Sequence, residues 1–292
     1  MELPLTVGVD GSEPALRALD WAADEAALHG LPLRVVYASR WEWCELSPGP
    51  VGQRAQEQTG PEALRTAVRR ARQRAPEVRL DTAVVADDPA RALVRESRTA
   101  WAVVTGSRGR GGFTELLLGS VGLAVASRAL CPVVVVRGDG PDEGAHRILL
   151  GVSDAPGGAE AVRFALREAS VRGCGLEAVR AWHCPAHETT PHPALADGVC
   201  LYHQARADTL LDEALAGPLR EHPGVVPHRT PVEGPAHKVL LERTAGAGLV
   251  VVGAHRREHR SGLQLGRVAH TLLHHAHCPV AVVPRAEGGV RE

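Results

Sequence analysis

The segment Gly106-Ser-Arg-Gly109-Arg-Gly111-Gly112-Phe, followed by Thr114–Leu118 and then Gly119-Ser120, holds residue types suited to binding an anion. Glycines let a backbone approach phosphate oxygens with no Cβ in the way, and they allow the positive φ that turns amides toward an anion. Ser120, opening a helical stretch, places unpaired N–H groups and the positive end of the helix dipole at the same spot. Arg108 and Arg110 add charge. The alternative is a strand-to-helix turn with no ligand, and composition alone leaves both readings open. A second group, Asp10-Gly11-Ser12, follows the apolar run Thr6–Val9. A carboxylate at a strand end can meet a ligand's hydroxyl groups or can cap its own turn. A third, His270 and His274, has the i,i+4 spacing that binds Zn²⁺ or Ni²⁺. No HExxH occurs and no carboxylate close in sequence completes a site, so a solvated helix face is expected and no metal.

The elements that must position these groups repeat. Leu5-Thr-Val-Gly-Val-Asp10 corresponds to Ile148-Leu-Leu-Gly-Val-Ser153, an offset of 143 residues. Cys131-Pro-Val-Val-Val-Val136 corresponds to Cys278-Pro-Val-Ala-Val-Val283 at an offset of 147, so about four residues are inserted between the two blocks. Such self-similarity indicates one domain duplicated, residues 1–141 and 142–292, joined through the polar, glycine-rich Gly138–Gly144. Within the first half, strands are expected near Thr6–Val9, Leu33–Ala38, Arg79–Val85, Ala102–Thr105 and Val133–Val136. Helices are expected near Pro14–Leu28, with Ser12 as N-cap and Gly30 as stop, and near Pro61–Arg74, Pro89–Arg98 and Ser120–Ala129. Short apolar strands alternating with amphipathic helices predict an α/β parallel sheet covered on both faces, with ligands beyond the carboxyl ends of the strands.

Composition excludes several classes. With 44% hydrophobic but only 3% aromatic residues, the core must be Leu, Val and Ala. Net charge −1 and a pI near 7.0 argue against a nucleic-acid binder. Lys238 is the only lysine, so the first half cannot contain a P-loop GK[ST]. The start has no basic, apolar leader and no apolar run is long enough to span a bilayer, so a cytoplasmic protein with no membrane partner is expected. The six cysteines show no CxxC pair and no zinc-ligand spacing, so reduced thiols are expected.

Gly106-x2-Gly109-x9-Gly119-Ser120 resembles the ATP-binding signature G-x2-G-x9-G-[ST] of the universal stress protein family. Val7-Gly-Val-Asp10-Gly-Ser12 resembles that family's first strand, and Cys131–Val136 its dimer-forming last strand. The resemblance implies two tandem Rossmann-like domains (adenine nucleotide alpha hydrolase-like), each a five-stranded parallel sheet of order 3-2-1-4-5. It implies that Asp10 contacts the ribose or adenine side, that Gly8 lets the base approach, and that Tyr37-Ala38 frames the adenine. Gly106, Arg108, Gly109, Gly112, Gly119, Ser120 and Val121 would surround the triphosphate of ATP, with or without Mg. It also implies an ATP-binding stress-response regulator. The last strands would pair antiparallel into a pseudo-dimer within one chain, with dimerisation of whole chains left open.

The second half departs from this pattern. Arg256 stands for the second glycine, Arg267 for the Ser/Thr, and Ser153 for the first-strand Asp. A degenerate second site is therefore expected, with ATP held mainly by the first domain. Histidines diverge too: His29 alone lies in the first half, and the other fourteen lie between His146 and His277. Hydrolysis needs a positioned water, a metal site and charge stabilisation, and the phosphate loop offers a single carboxylate, Glu115. The expectation is a binding protein and not an enzyme. The alternatives are a slow ATPase on the same scaffold and a dimeric scaffold protein without nucleotide.

Overall fold

The computed structural model describes residues 2–38, 50–109, 118–137, 147–154, 158–184, 193–254 and 265–285, with backbone alone for 50–59 and 193–198. The chain forms two compact units. The first runs β1 (Leu5–Val9), α1 (Glu13–His29), β2 (Leu33–Ala38), α2 (Pro50–Arg74), β3 (Leu80–Val85), α3 (Pro89–Glu96), β4 (Ala102–Gly106), α4 (Ser120–Arg128) and β5 (Val133–Val136). Its strands are parallel in the order β3-β2-β1-β4-β5. The second repeats the scheme with β6 (Arg147–Gly151), α5 (Gly158–Arg172), β7 (Gly175–Trp182), α6 (Pro193–Ala216), β8 (Pro227–Glu233), α7 (Ala236–Arg243), β9 (Leu249–Gly253), α8 (Arg267–His275) and β10 (Val280–Val283). Its order is β8-β7-β6-β9-β10. Each sheet is therefore of order 3-2-1-4-5, as the family resemblance implies.

The middle strands read as apolar runs because they are buried on both faces: Leu5, Val7, Val103, Val104 and Val134 are inaccessible to solvent. The edge strand β3 has no fully buried position and mixes half-buried with exposed ones. On α1 the residues Ala15, Ala18, Leu19, Ala22 and Ala26 recur at helical spacing and face the sheet. Their small side chains let the helix axis lie close, which suits a core with few aromatics. Gly30, at φ 65°, ends α1 in the left-handed conformation, and its N–H reaches the Ala26 and Ala27 carbonyls. Arg70 and Arg74 of α2 grip Asp20 and Asp24 of α1 through paired N–H···O bonds of 2.6–2.7 Å.

Three expectations are corrected here. The helix expected from Pro61 begins at Pro50 and carries Pro61 inside it. Ser12 precedes α1 but does not cap it with its hydroxyl, which is engaged by Asp10 instead. The thiols are not all reduced: Cys184 and Cys200 form a disulfide, 16 residues apart in sequence. No CxxC spacing marks it, because its partners meet only when the end of β7 and helix α6 are packed together. Cys131 and Cys278 are free and buried. Among the described residues no helix is long and apolar enough to cross a membrane.

Candidate functional site

From β1 the chain crosses to β2 on one side, and from β4 it crosses to β5 on the other. This reversal opens a crevice at the carboxyl ends of β1 and β4, where ligands bind in doubly wound sheets. A cavity of about 330 Å³ lies there, within the range of small-molecule sites. Gly8, Asp10, Ala38, Gly106, Arg108, Gly109, Gly119, Ser120 and Val121 all line it. Gly112, Arg110 and Glu115 lie outside the described residues.

Asp10 is held from its own turn. Its Oδ1 accepts the Ser12 N–H at 2.9 Å and the Ser12 hydroxyl at 2.6 Å, and Gly11 takes φ 83° to let the chain reverse. The turn-capping reading of Asp10 is thus met by one of its oxygens, in a side chain that also lines the cavity. One carboxylate oxygen caps the turn, while Oδ2 lies so near Gly109 that a Cβ there would stand 2.7 Å from it.

The glycines act through space and not through positive φ. Gly106, Gly109 and Gly119 are not among the glycines with positive φ, which corrects the expectation that they turn amides by that route. A Cβ on Gly106 would lie 2.6 Å from the Pro14 carbonyl oxygen, so this glycine lets the end of β4 meet the start of α1. Gly8 makes room for Leu93, whose Cδ1 would be 2.7 Å from a Cβ. Gly119 is the N-cap of α4 with an extended backbone and no side-chain cap, and the nearest atom to a Cβ there is the Arg108 Cα at 3.5 Å. The N–H groups of the first turn of α4 consequently face the cavity end with no intrahelical acceptor. Ser107 closes the loop: its N–H donates to the Val136 carbonyl at 3.0 Å and its own carbonyl accepts the Gly119 N–H at 2.8 Å.

Five further residues escaped sequence reasoning. Leu93 and Pro89 of α3 and Val36 of β2 form apolar wall. Thr105 lines the cavity, is 4% exposed, and its hydroxyl oxygen has no hydrogen-bond partner among the described residues. A buried hydroxyl in that state is costly unless a ligand or water meets it. Near the glycine loop, Arg137 follows β5. Burial pulls its guanidinium below the ordinary value and the positive charge of Arg108 adds to this. The signal for Arg137 was visible as a basic residue directly after the last strand. Leu93 had none, because its role depends on what Gly8 lacks.

The second unit differs at the same places. Gly151 again makes room for a leucine, with Leu240 Cδ1 2.8 Å from a Cβ. Asp154, at the position of Gly11, is bound in two N–H···O contacts of 2.6 and 3.1 Å by Arg180, which stands on β7 where β2 carries Tyr37. Arg267 opens α8 where Ser120 opens α4. Arg256 lies outside the described residues. On α8 the His270 and His274 rings stand 4.4 Å apart, His270 exposed and His274 half-buried, so the expected solvated face is only partly so.

A model of the universal stress protein family matches residues 3–137 and again 144–284. A universal stress protein of Mycobacterium tuberculosis (strain H37Rv) is 35% identical over 288 residues, covering 95% of this chain and 96% of its own. One from Mycolicibacterium smegmatis is 32% identical over 292 residues, 97% of each chain. Among solved structures, a universal stress protein from Archaeoglobus fulgidus DSM 4304 shares the fold, with TM-score 0.71 at 17% identity over 97% of this chain and 98% of that one. Matched along both halves, the chain belongs to the universal stress protein family.

Proposed function

We propose that this protein binds ATP in its first unit and acts as a nucleotide-dependent regulator of the stress response. The observation that carries the reading is the convergence of nine residues, chosen from sequence, on one cavity at the switch point of the sheet. The donor set suits a nucleotide. Leu93, Val36 and Ala38 offer an apolar wall for a base, Asp10 a carboxylate for ribose hydroxyls, and the buried Thr105 hydroxyl a hydrogen bond in search of a partner. Arg108, the amides opening α4 and the glycine backbone meet the requirements of phosphate charge without a lysine. Mg would be held chiefly by the phosphates, since Asp10 is the one carboxylate in the described lining.

ATP is held mainly by the first unit, because in the second Ser153 stands for Asp10, Arg267 stands for Ser120, and an arginine–aspartate pair adjoins them. The same scarcity of carboxylates favours binding without rapid turnover. The test is calorimetric titration of the full chain with ATP, which should give one site per chain. No binding would refute the reading, and two equal sites would refute the preference for the first unit. Multiple turnovers that vanish in Glu115→Gln would make the protein an ATPase instead.

A further inference from the structure

A second concavity lies on the far edge of the first unit, away from the carboxyl ends of β1 and β4. It is a groove of about 580 Å³ between α2 and the edge strand β3. Its floor is apolar, formed by Pro61, Leu64 and Val68 of α2 with Thr82 and Val84 of β3. Val84 is 61% exposed, unusual for a valine on a strand beside a helix. The rim is basic: Arg65, Arg69 and Arg72 recur on one face of α2 and all are exposed. Their neighbours Arg70 and Arg74, turned toward α1, are fully engaged by Asp20 and Asp24. By contrast Arg69 and Arg72 have no carboxylate partner among the described residues, and Arg65 donates to the Pro61 carbonyl. Among the described residues no acidic residue lines the groove. Since β3 pairs with β2 alone in its unit, the main-chain groups of its outer edge also face this side.

The second unit carries different residues at the equivalent positions. The buried residues Ala63, Ala67 and Ala71 of α2 match Ala207, Leu211 and Leu215 of α6, which sets the correspondence. Leu64 and Val68 then become Asp208 and Asp212, while Thr82 and Val84 become Arg229 and Pro231. Asp212 and Arg229 close on each other at 2.7 Å. One copy of the duplicated domain therefore carries a polar seam bridged by an ion pair. The other carries an apolar floor with three uncompensated positive charges.

The geometry points to this groove as a docking site for an acidic peptide segment of a partner protein, anchored by two or three apolar side chains. The floor takes the apolar anchors, the arginines take flanking carboxylates, and the β3 edge offers hydrogen bonds to an extended backbone. An acidic peptide fits better than an anionic membrane because the apolar surface is recessed between helix and strand, whereas a bilayer would need it to protrude.

The experiment pans a phage-displayed random 12-residue library against the immobilised full chain. Enriched peptides are then synthesised and their affinity measured by fluorescence anisotropy. Two variants serve as readouts: Val68→Asp with Thr82→Arg, which copies the second unit's pair, and Arg65→Ser with Arg69→Ser and Arg72→Ser, which lies wholly on the surface and keeps the test valid should the first fail to fold. Acidic, apolar-containing peptides should be enriched, and each folded variant should bind them at least tenfold more weakly. No enrichment, enrichment of basic sequences, or affinities within twofold of the wild type would overturn the assignment. So would binding to phosphatidylglycerol vesicles, lost in the triple arginine variant, with no peptide enriched.

Discussion

Gly109→Ala gives a sharp test of how the site is built, because the structure says which atom the new methyl group meets. The added Cβ would stand 2.7 Å from Asp10 Oδ2, well inside contact distance. Asp10 cannot swing away without cost. Its Oδ1 holds the Ser12 amide at 2.9 Å and the Ser12 hydroxyl at 2.6 Å, and both bonds must lengthen if the carboxylate turns. Hydrogen bonds to a charged group are worth about 1.5–3 kcal/mol each, and partial loss of two in a half-exposed turn should cost about 1–2 kcal/mol. The same displacement moves the carboxylate offered to the ligand, so ATP affinity should fall at least tenfold, about 1.4 kcal/mol. The assay is a double-mutant cycle with Asp10→Ala, reading urea unfolding and calorimetric ATP binding. Without the Asp10 carboxylate the methyl group meets no other described atom within 4 Å, so Gly109→Ala should be nearly silent for stability in that background, with a coupling of about 1–2 kcal/mol. If Gly109→Ala costs the same with or without Asp10, the contact is not the reason glycine is needed. If it leaves both stability and ATP affinity unchanged in the wild type, the site geometry is wrong.

Other consequences follow from the same structure. Gly106→Ala drives a Cβ to 2.6 Å from the Pro14 carbonyl oxygen. Chemical unfolding should show a loss of about 1–3 kcal/mol, whereas Gly119→Ala, with its nearest neighbour at 3.5 Å, should cost under about 1 kcal/mol. Burial pushes the Cys131 and Cys278 thiols up from 9.0 to about 12. The unfolded chain ionises them first, so stability should fall as pH rises from 9 toward 12, by up to about 1.4 kcal/mol per pH unit for each thiol. Replacing both by Ala should flatten that slope in urea titrations, and a slope unchanged by replacement would refute it. Reducing Cys184–Cys200, whose partners are 16 residues apart, should destabilise the second unit by about 3 kcal/mol, with the Ser/Ser variant behaving alike. Unfolding that ignores dithiothreitol would contradict the disulfide.

Much was legible from residues alone because it is periodic or local. The duplication shows as repeated strings, the buried middle strands as apolar runs, and the end of α1 as His29-Gly30, where Gly30 takes φ 65°. The spacing of Gly106, Gly109 and Gly119 marked the cavity because a strand-to-helix loop keeps its parts close in sequence.

What only the tertiary structure decided concerns groups far apart in sequence. It gave Gly106 a packing partner in Pro14, gave Gly8 one in Leu93, and exposed the Thr105 hydroxyl as a buried group in need of a bond. It joined Cys184 to Cys200 and set Arg180 on Asp154. It also gave one copy an apolar α2–β3 groove while an ion pair, Asp212 with Arg229, bridges the equivalent seam in the other copy. None of these pairings has a period or a fixed spacing. Each exists because parallel strands need long crossovers, which bring residues tens of positions apart to the same end of a sheet.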